Sequence, residues 1–257
     1  MIFDTHAHYD DEAFDPDREG LLKNLHNQGI DYIVNVGASI DSIKKTLALA
    51  KKYPFIYAAV GVHPSESQML SEKDMKWIKD MASCNKVAAI GEIGLDYYWK
   101  DPDKEVQKKW FARQLQIAGE VKLPVIVHSR DAAKDTLDLL KEQRKELTQV
   151  VIHCYSYGKE MAAEFLNLDF YFGIGGVLTF KNARKLVEAA EYIPMNRILL
   201  ETDCPYLAPE PYRGKRNQSS YIDFVAQKLS EIKQISKEEV LAQTMQNAKE
   251  FYGKERF

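Results

Sequence analysis

The sequence predicts an α/β fold, a (β/α)8 TIM-type barrel with an extra C-terminal helix, and three observations carry that prediction. Short apolar runs alternate with longer helical patterns along the whole chain, the signature of repeated strand–helix units around a parallel sheet; eight such units can be counted. The length of 257 residues suits a barrel folded as one domain, residues 1–257. Residues able to hold metal ions recur at the ends of the runs, where parallel barrels gather their chemistry.

The first strand is Ile2 to His6, within an opening that reads Asp4-Thr5-His6-Ala7-His8. Side chains two apart on a strand point to one face, so both imidazoles converge on one point. A helical pattern containing Leu21, Leu22 and Leu25 follows, and His26 within it lies away from the strand tips and reads as structural. Strand two is Tyr32 to Gly37. Between Ser42 and Lys52, Ile43, Thr46, Leu47 and Ala50 share one helical face, and strand three is Tyr57 to Val62. Strand four is Val87 to Glu92, followed by a helix over Lys104 to Val121 with Phe111, Leu115 and Ala118 inward. Val125 to His128, Val150 to His153, Phe170 to Ile174 and Ile198 to Asp203 complete the eight strands. The capping-box pattern Ser236-Lys237-Glu238-Glu239 opens the extra helix, which reaches Tyr252.

Composition narrows the class. Hydrophobic residues at 45% and charged residues at 28% exclude disordered and collagen-like chains and supply a sizeable core. No apolar run approaches the roughly 20 residues of a transmembrane helix, and the start of the chain lacks a basic segment followed by an apolar one. These features predict a cytoplasmic protein with no membrane attachment and no obligatory protein partner. Cys84, Cys154 and Cys204 are odd in number and widely spaced, which predicts reduced thiols. On extended strands Cys154 and Cys204 would point away from the residues before them, as packed thiols. A net charge of -3 argues against broad attraction to nucleic acid. A metal-centred nuclease stays open, because its own cations and a few local Lys or Arg residues neutralise the phosphates it handles.

The metal-capable residues fall on strand after strand. His6 and His8 end strand one, Glu92 strand four, His128 strand five, His153 strand six and Asp203 strand eight; four of the six histidines of the chain are among them. Each alone reads as a satisfied core or loop residue, but six together do not. Four imidazoles and two carboxylates exceed the three protein ligands of a catalytic zinc, so two divalent ions (Mg, Mn or Zn) are the natural reading, with Glu92 able to bridge them. Paired ions clamp the attacking and leaving oxygens of a displacement at phosphorus.

At this point the chain resembles the TatD family of metal-dependent deoxyribonucleases, inside the amidohydrolase-like barrel superfamily. The resemblance runs over essentially the whole length. It rests on Asp4-Thr5-His6-Ala7-His8, Gly61-Val62-His63-Pro64, Gly91-Glu92-Ile93-Gly94-Leu95-Asp96-Tyr97, Pro124 to Arg130, Ile152-His153-Cys154-Tyr155-Ser156, Leu200 to Pro209 and Arg213-Gly214-Lys215-Arg216-Asn217. It implies that His6, His8, Glu92 and Asp203 hold one metal and Glu92, His128 and His153 the second. It further implies phosphodiester hydrolysis of DNA, often from the 3′ end, on single-stranded or frayed ends. The chain departs from the family after Asn217, where Gln218-Ser219-Ser220 replaces an acidic residue and a proline, which bears on substrate preference. Related binuclear hydrolases bridge their metals with a modified lysine on strand four; here that strand ends in Glu92.

Asp203 is the expected residue to orient the attacking water or take its proton, with Glu92 as the second catalytic group. His63 is expected at the substrate or beside the ligands, or as a hydrogen-bonded loop residue. Arg130, Lys181, Arg213, Lys215 and Arg216 are candidates to grip DNA phosphates, with plain surface charge expected of at least two of the five. Asp4 shares a strand face with His6, and Glu201 with Asp203, so either orients ligands or sits paired inside the barrel. Tyr97, Tyr98 and Trp99 either stack a base or pack a loop. Two alternatives to a deoxyribonuclease stay open, an amidohydrolase or lactonase on a small molecule and a non-catalytic protein with a structural metal.

Overall fold

A computed structural model describes residues 1–257. Eight parallel strands follow one another around a sheet in chain order: β1 Ile2–Ala7, β2 Ile30–Val36, β3 Ile56–Val60, β4 Val87–Asp96, β5 Val125–Arg130, β6 Val150–Ile152, β7 Tyr171–Ile174 and β8 Ile198–Leu200. The ends of the sheet meet just past β1 and β8, where the His8 amide donates to Cys204 O at 2.8 Å and the Asp203 amide to His6 O at 2.9 Å. The helices between strands are α1 Arg18–Leu25, α2 Ile40–Lys52, α3 Glu72–Ala82, α4 Lys104–Val121, α5 Ala133–Gln143, α6 Lys159–Leu166, α7 Arg184–Tyr192 and α8 Ile222–Lys233. The expected extra helix is α9, Lys237–Tyr252, and the Ser236 hydroxyl and Glu239 carboxylate close its capping box, a cap worth about 1 kcal/mol. No helix is long and apolar enough to cross a membrane.

Strand alternation explains the layering. A cluster of 55 buried residues fills the space between strands and helices. A second cluster of 13 holds Phe3, Val34, Ala59, Ile126, Val151 and Leu199. Two residues beyond Ile126, Val151 and Leu199 come His128, His153 and Glu201, so the polar groups stand on this apolar floor. Ala248, Phe251 and Tyr252 of α9 join the same cluster, with the Tyr252 hydroxyl donating to Thr5 O at 2.8 Å.

Strand ends depart from the sequence reading where the chemistry sits. β4 runs four residues beyond Glu92 to Asp96, paired with β5 as far as Arg130. β6 stops before His153 and β8 before Asp203. Cys154 and Asp203 both have left-handed backbones (φ 44° and 57°), which a strand ladder does not accommodate. At Gly94, φ is 150° and a Cβ would lie 1.9 Å from His128 O, so no other residue lets β4 approach β5 there.

Candidate metal centre

The six donor residues expected from sequence meet at the C-terminal mouth of the barrel. On one side His6 Nε2 lies 3.0 Å from His8 Nε2, 3.4 Å from Glu92 Oε2 and 3.7 Å from Asp203 Oδ1. His8 Nε2 is 3.6 Å from Glu92 Oε2 and 3.3 Å from Asp203 Oδ1. On the other side Glu92 Oε1 lies 2.8 Å from both His128 Nδ1 and His153 Nε2, which are 3.2 Å apart. Ligand bonds of about 2.0–2.2 Å would put neighbouring donor atoms about 2.8–3.6 Å apart around one cation, the spacing found in both groups.

The far ring nitrogens strengthen the fit. His8 Nδ1 lies 2.8 Å from Val36 O and must donate to it, so in the neutral ring Nε2 carries the lone pair and faces the site. His128 Nε2 lies 3.2 Å from Asp96 Oδ2, which in the same way frees Nδ1. His153 Nδ1 faces Glu201 Oε1 at 3.6 Å, beyond hydrogen-bond range, and His6 Nδ1 has no partner. In a cluster without cations, two buried ring nitrogens 3.0 Å apart need a proton between them. A shared cation removes that need and uses both lone pairs, so the donor set suits divalent metal.

The electrostatics point the same way. Burial favours the neutral acid of Glu92, yet His153, His128 and His6 together hold its carboxyl well below the usual range. Burial also opposes charge on His8, but Asp203 and Glu92 outweigh it and push the ring up to about 9. His153 is held well above its ordinary value against the same penalty, by Glu92 and Glu201. Asp203 stays below the usual carboxylate range because His8, His153 and His6 outweigh its burial.

Asp203 reaches this cluster from a loop. Its left-handed backbone turns the side chain inward, and Asn217, fully buried, ties the loop down by donating to Thr202 O and Tyr206 O, each at 2.8 Å. The departure after Asn217 lies behind this loop, where the Ser219 hydroxyl donates to Asp4 Oδ2 at 2.6 Å. The Asp4 carboxylate holds the His6 backbone and leaves its ring alone: it accepts the His6 amide at 3.3 Å, the Ser219 and Thr202 hydroxyls at 2.6 and 2.7 Å, and burial pushes it up to about 7. Glu201 does face His153, and it accepts the Cys154 amide at 2.5 Å. Gly173 makes room for it, since a Cβ there would lie 2.1 Å from Glu201 Oε2.

Around the cluster opens a cavity of about 930 Å³. His63 and Arg130 line it; Lys181 and Arg213 do not, and the Arg213 guanidinium covers the Phe180 ring at 4.2 Å. His63 is hydrogen-bonded within its loop and lies beside Glu92. Its Nδ1 accepts the Ser65 amide at 3.1 Å, which places the proton of the neutral ring on Nε2, 3.8 Å from Glu92 Oε1. Burial, with His128 beside it, lowers this ring to about 3, so it stays neutral. Cys204 is packed as expected, but Cys154 is half-buried and lines the cavity because its backbone is not extended. Sequence reasoning missed Asp96 and the cavity cation Lys45. Extending β4 beyond Glu92 would have found Asp96, which shares the 92, 94, 96 alternation; nothing local marks Lys45.

Imidazoles and carboxylates gathered in this way at the mouth of a (β/α)8 barrel are those of a metal-dependent hydrolase. The chain belongs to the TatD-related DNase family, whose profile matches residues 3–253. It is 42% identical over 252 residues to YabD of Bacillus subtilis (strain 168), an uncharacterized metal-dependent hydrolase, covering 98% of this chain and 99% of that protein. YcfH of Escherichia coli (strain K12), described in the same words, is 34% identical over 250 residues, with 96% and 94% covered. Among solved structures, the TATD homolog YJJV from Escherichia coli k12 superposes with a TM-score of 0.92 at 30% identity, covering 98% of this chain and 97% of that one.

Proposed function

We propose that this protein hydrolyses phosphodiester bonds of DNA, as a 3′-5′ exonuclease on single-stranded or frayed ends, with two divalent cations held on either side of Glu92. The observation that carries the reading is the division of one carboxylate between two donor groups, Oε2 toward His6 and His8, Oε1 toward His128 and His153. His6, His8, Glu92 and Asp203 would hold one cation, and Glu92, His128 and His153 the other. Divalent cations held by these residues would supply acidification of water and charge compensation for a displacement at phosphorus.

The chain supplies the rest. Asp203 is ionised at neutral pH and reaches into the cavity, so it can orient water, and it would take a proton only from water already acidified by bound cation. His63 presents a neutral Nε2–H to the same space, a donor for a phosphate or leaving oxygen. Asp96 fixes the His128 ring through Nε2. Arg130 and Lys45 are the cavity cations available to flanking phosphates, while Lys181 and Arg213 would act only on a strand extending past the mouth.

The reading is tested with single strands labelled at the 3′ or the 5′ end, incubated with chelated protein and with Mg, Mn or Zn added back. Stepwise shortening from the 3′ end that depends on added cation is expected. Intact strands with every cation, alongside hydrolysis of a carboxylic ester or lactone, would replace it with small-molecule chemistry.

A further inference from the structure

The three aromatic residues after Glu92's strand do different jobs. Tyr97 is packed: its hydroxyl donates to Asp135 Oδ2 at 2.7 Å and the Lys104 ammonium covers its ring at 4.2 Å. Tyr98 and Trp99 are 54% and 59% exposed, an unusual state for two large rings side by side. They meet edge to face, with centroids 4.8 Å apart and planes at 88°. The Arg130 guanidinium lies 3.8 Å from the Tyr98 ring centre, and no carboxylate pairs with it. Trp99 and Arg130 line the same cavity as Glu92 and Asp203.

This edge of the cavity is held rigidly. The Tyr98 amide donates to Asp96 Oδ1 at 2.9 Å, and Asp96 also contacts His128. Gln107 of α4 pins the strand end by accepting the Asp96 amide at 2.8 Å and donating to Asp96 O and Pro102 O at 2.9 and 2.8 Å. The part of the cavity that follows β1 and β2 differs in charge, being lined by Asp10, Asp11, Glu12 and Asp41. Lys45 is the one cation among these acids, so a polyanion entering the cavity meets its unpaired cation at Arg130 and mainly negative charge on the other side.

We infer that Trp99, braced by Tyr98 and Arg130, is the subsite for the nucleotide next to the cleaved bond, stacking its base on the indole while Arg130 takes its phosphate. This rests on the nucleic-acid reading above and adds where the strand lies. An indole offers a flat face to any base, so the subsite selects for the presence of a base over its identity. It is positioned by the residue that orients His128, which couples base placement to the donor cluster.

Binding is measured in the metal-loaded Asp203→Asn background, where the strand survives, by titrating a short oligodeoxyadenylate and an abasic strand of equal length while following tryptophan emission. Trp77 and Trp110 are partly buried and buried, so Trp99 is the tryptophan within reach of a base. Emission is expected to fall with the base-bearing strand and not with the abasic one. Trp99→Ala is expected to weaken binding of the base-bearing strand about 5- to 100-fold and to leave abasic binding unaltered, with Trp99→Phe restoring most of the affinity. Binding of the base-bearing strand within twofold of the parent, equal loss on both strands, or no binding by any of the proteins would overturn the subsite. A wild-type protein that leaves every strand intact with every added cation, while the Asp203→Asn protein still binds through Trp99, would instead sink the nuclease reading and leave the subsite standing.

Discussion

Glu92 and His153 face each other with Oε1 2.8 Å from Nε2, while the second oxygen of the same carboxylate is turned toward His6 and His8. A buried carboxylate surrounded by imidazoles on two sides is the pivot of the site. Glu92→Gln keeps the shape and removes the charge. Metal content, measured by mass spectrometry after dialysis, is expected to fall from two ions per chain to one or none, and turnover to drop more than about 100-fold, since both donor groups lose their shared anion. Two retained ions would contradict the bridging role.

Metal binding is expected to release protons. His8 is pushed up to about 9, and His128 and His153 are both raised against the cost of burial by the carboxylates around them, so the folded cluster favours their protonated forms, whereas coordination requires them neutral. Burial lowers His6 and His63, so these contribute none. The three raised histidines bind protons more tightly folded than unfolded. Their contribution to metal-free stability is therefore full below the ordinary value of 6.5 and lost as pH rises through the folded values, about 9 for His8. Over the same window metal affinity climbs. Calorimetry in buffers of different ionisation enthalpy checks the sign: net proton uptake on binding at neutral pH would contradict it.

Asp203→Asn is expected to reduce turnover by about 10²- to 10⁴-fold, the usual contribution of a positioned proton acceptor, with circular dichroism and melting temperature close to wild type. Its backbone amide bond to His6 O survives the change, so the loop stays in place. Turnover within threefold of wild type would remove Asp203 from the chemistry.

Asp96→Asn weakens the acceptor that fixes the His128 ring. Metal affinity at the weaker site is expected to fall about 10- to 100-fold, while saturating cation restores most of the turnover. A metal titration of activity separates this from a loss of folding, which no cation concentration would repair.

Most of the fold was legible because each element carried its own local signal. The helix over Lys104–Val121 matched to the residue, and the Ser236 capping box marked the start of α9. The donor residues were legible because a parallel barrel brings the C-terminal ends of its strands to one mouth. What was hidden depends on backbone departures with no compositional mark. The left-handed residues at 154 and 203 and the continuation of β4 to Asp96 are of this kind. Arg213 illustrates the limit for surface cations. Its sequence neighbourhood says nothing of Phe180, on which its guanidinium rests outside the cavity.

The central claim is that one carboxylate joins two cation positions, and anomalous diffraction from manganese-loaded crystals tests it most directly. Two peaks about 3.5–4 Å apart, one beside each oxygen of Glu92, are predicted. A single peak, or peaks away from Glu92, would contradict it.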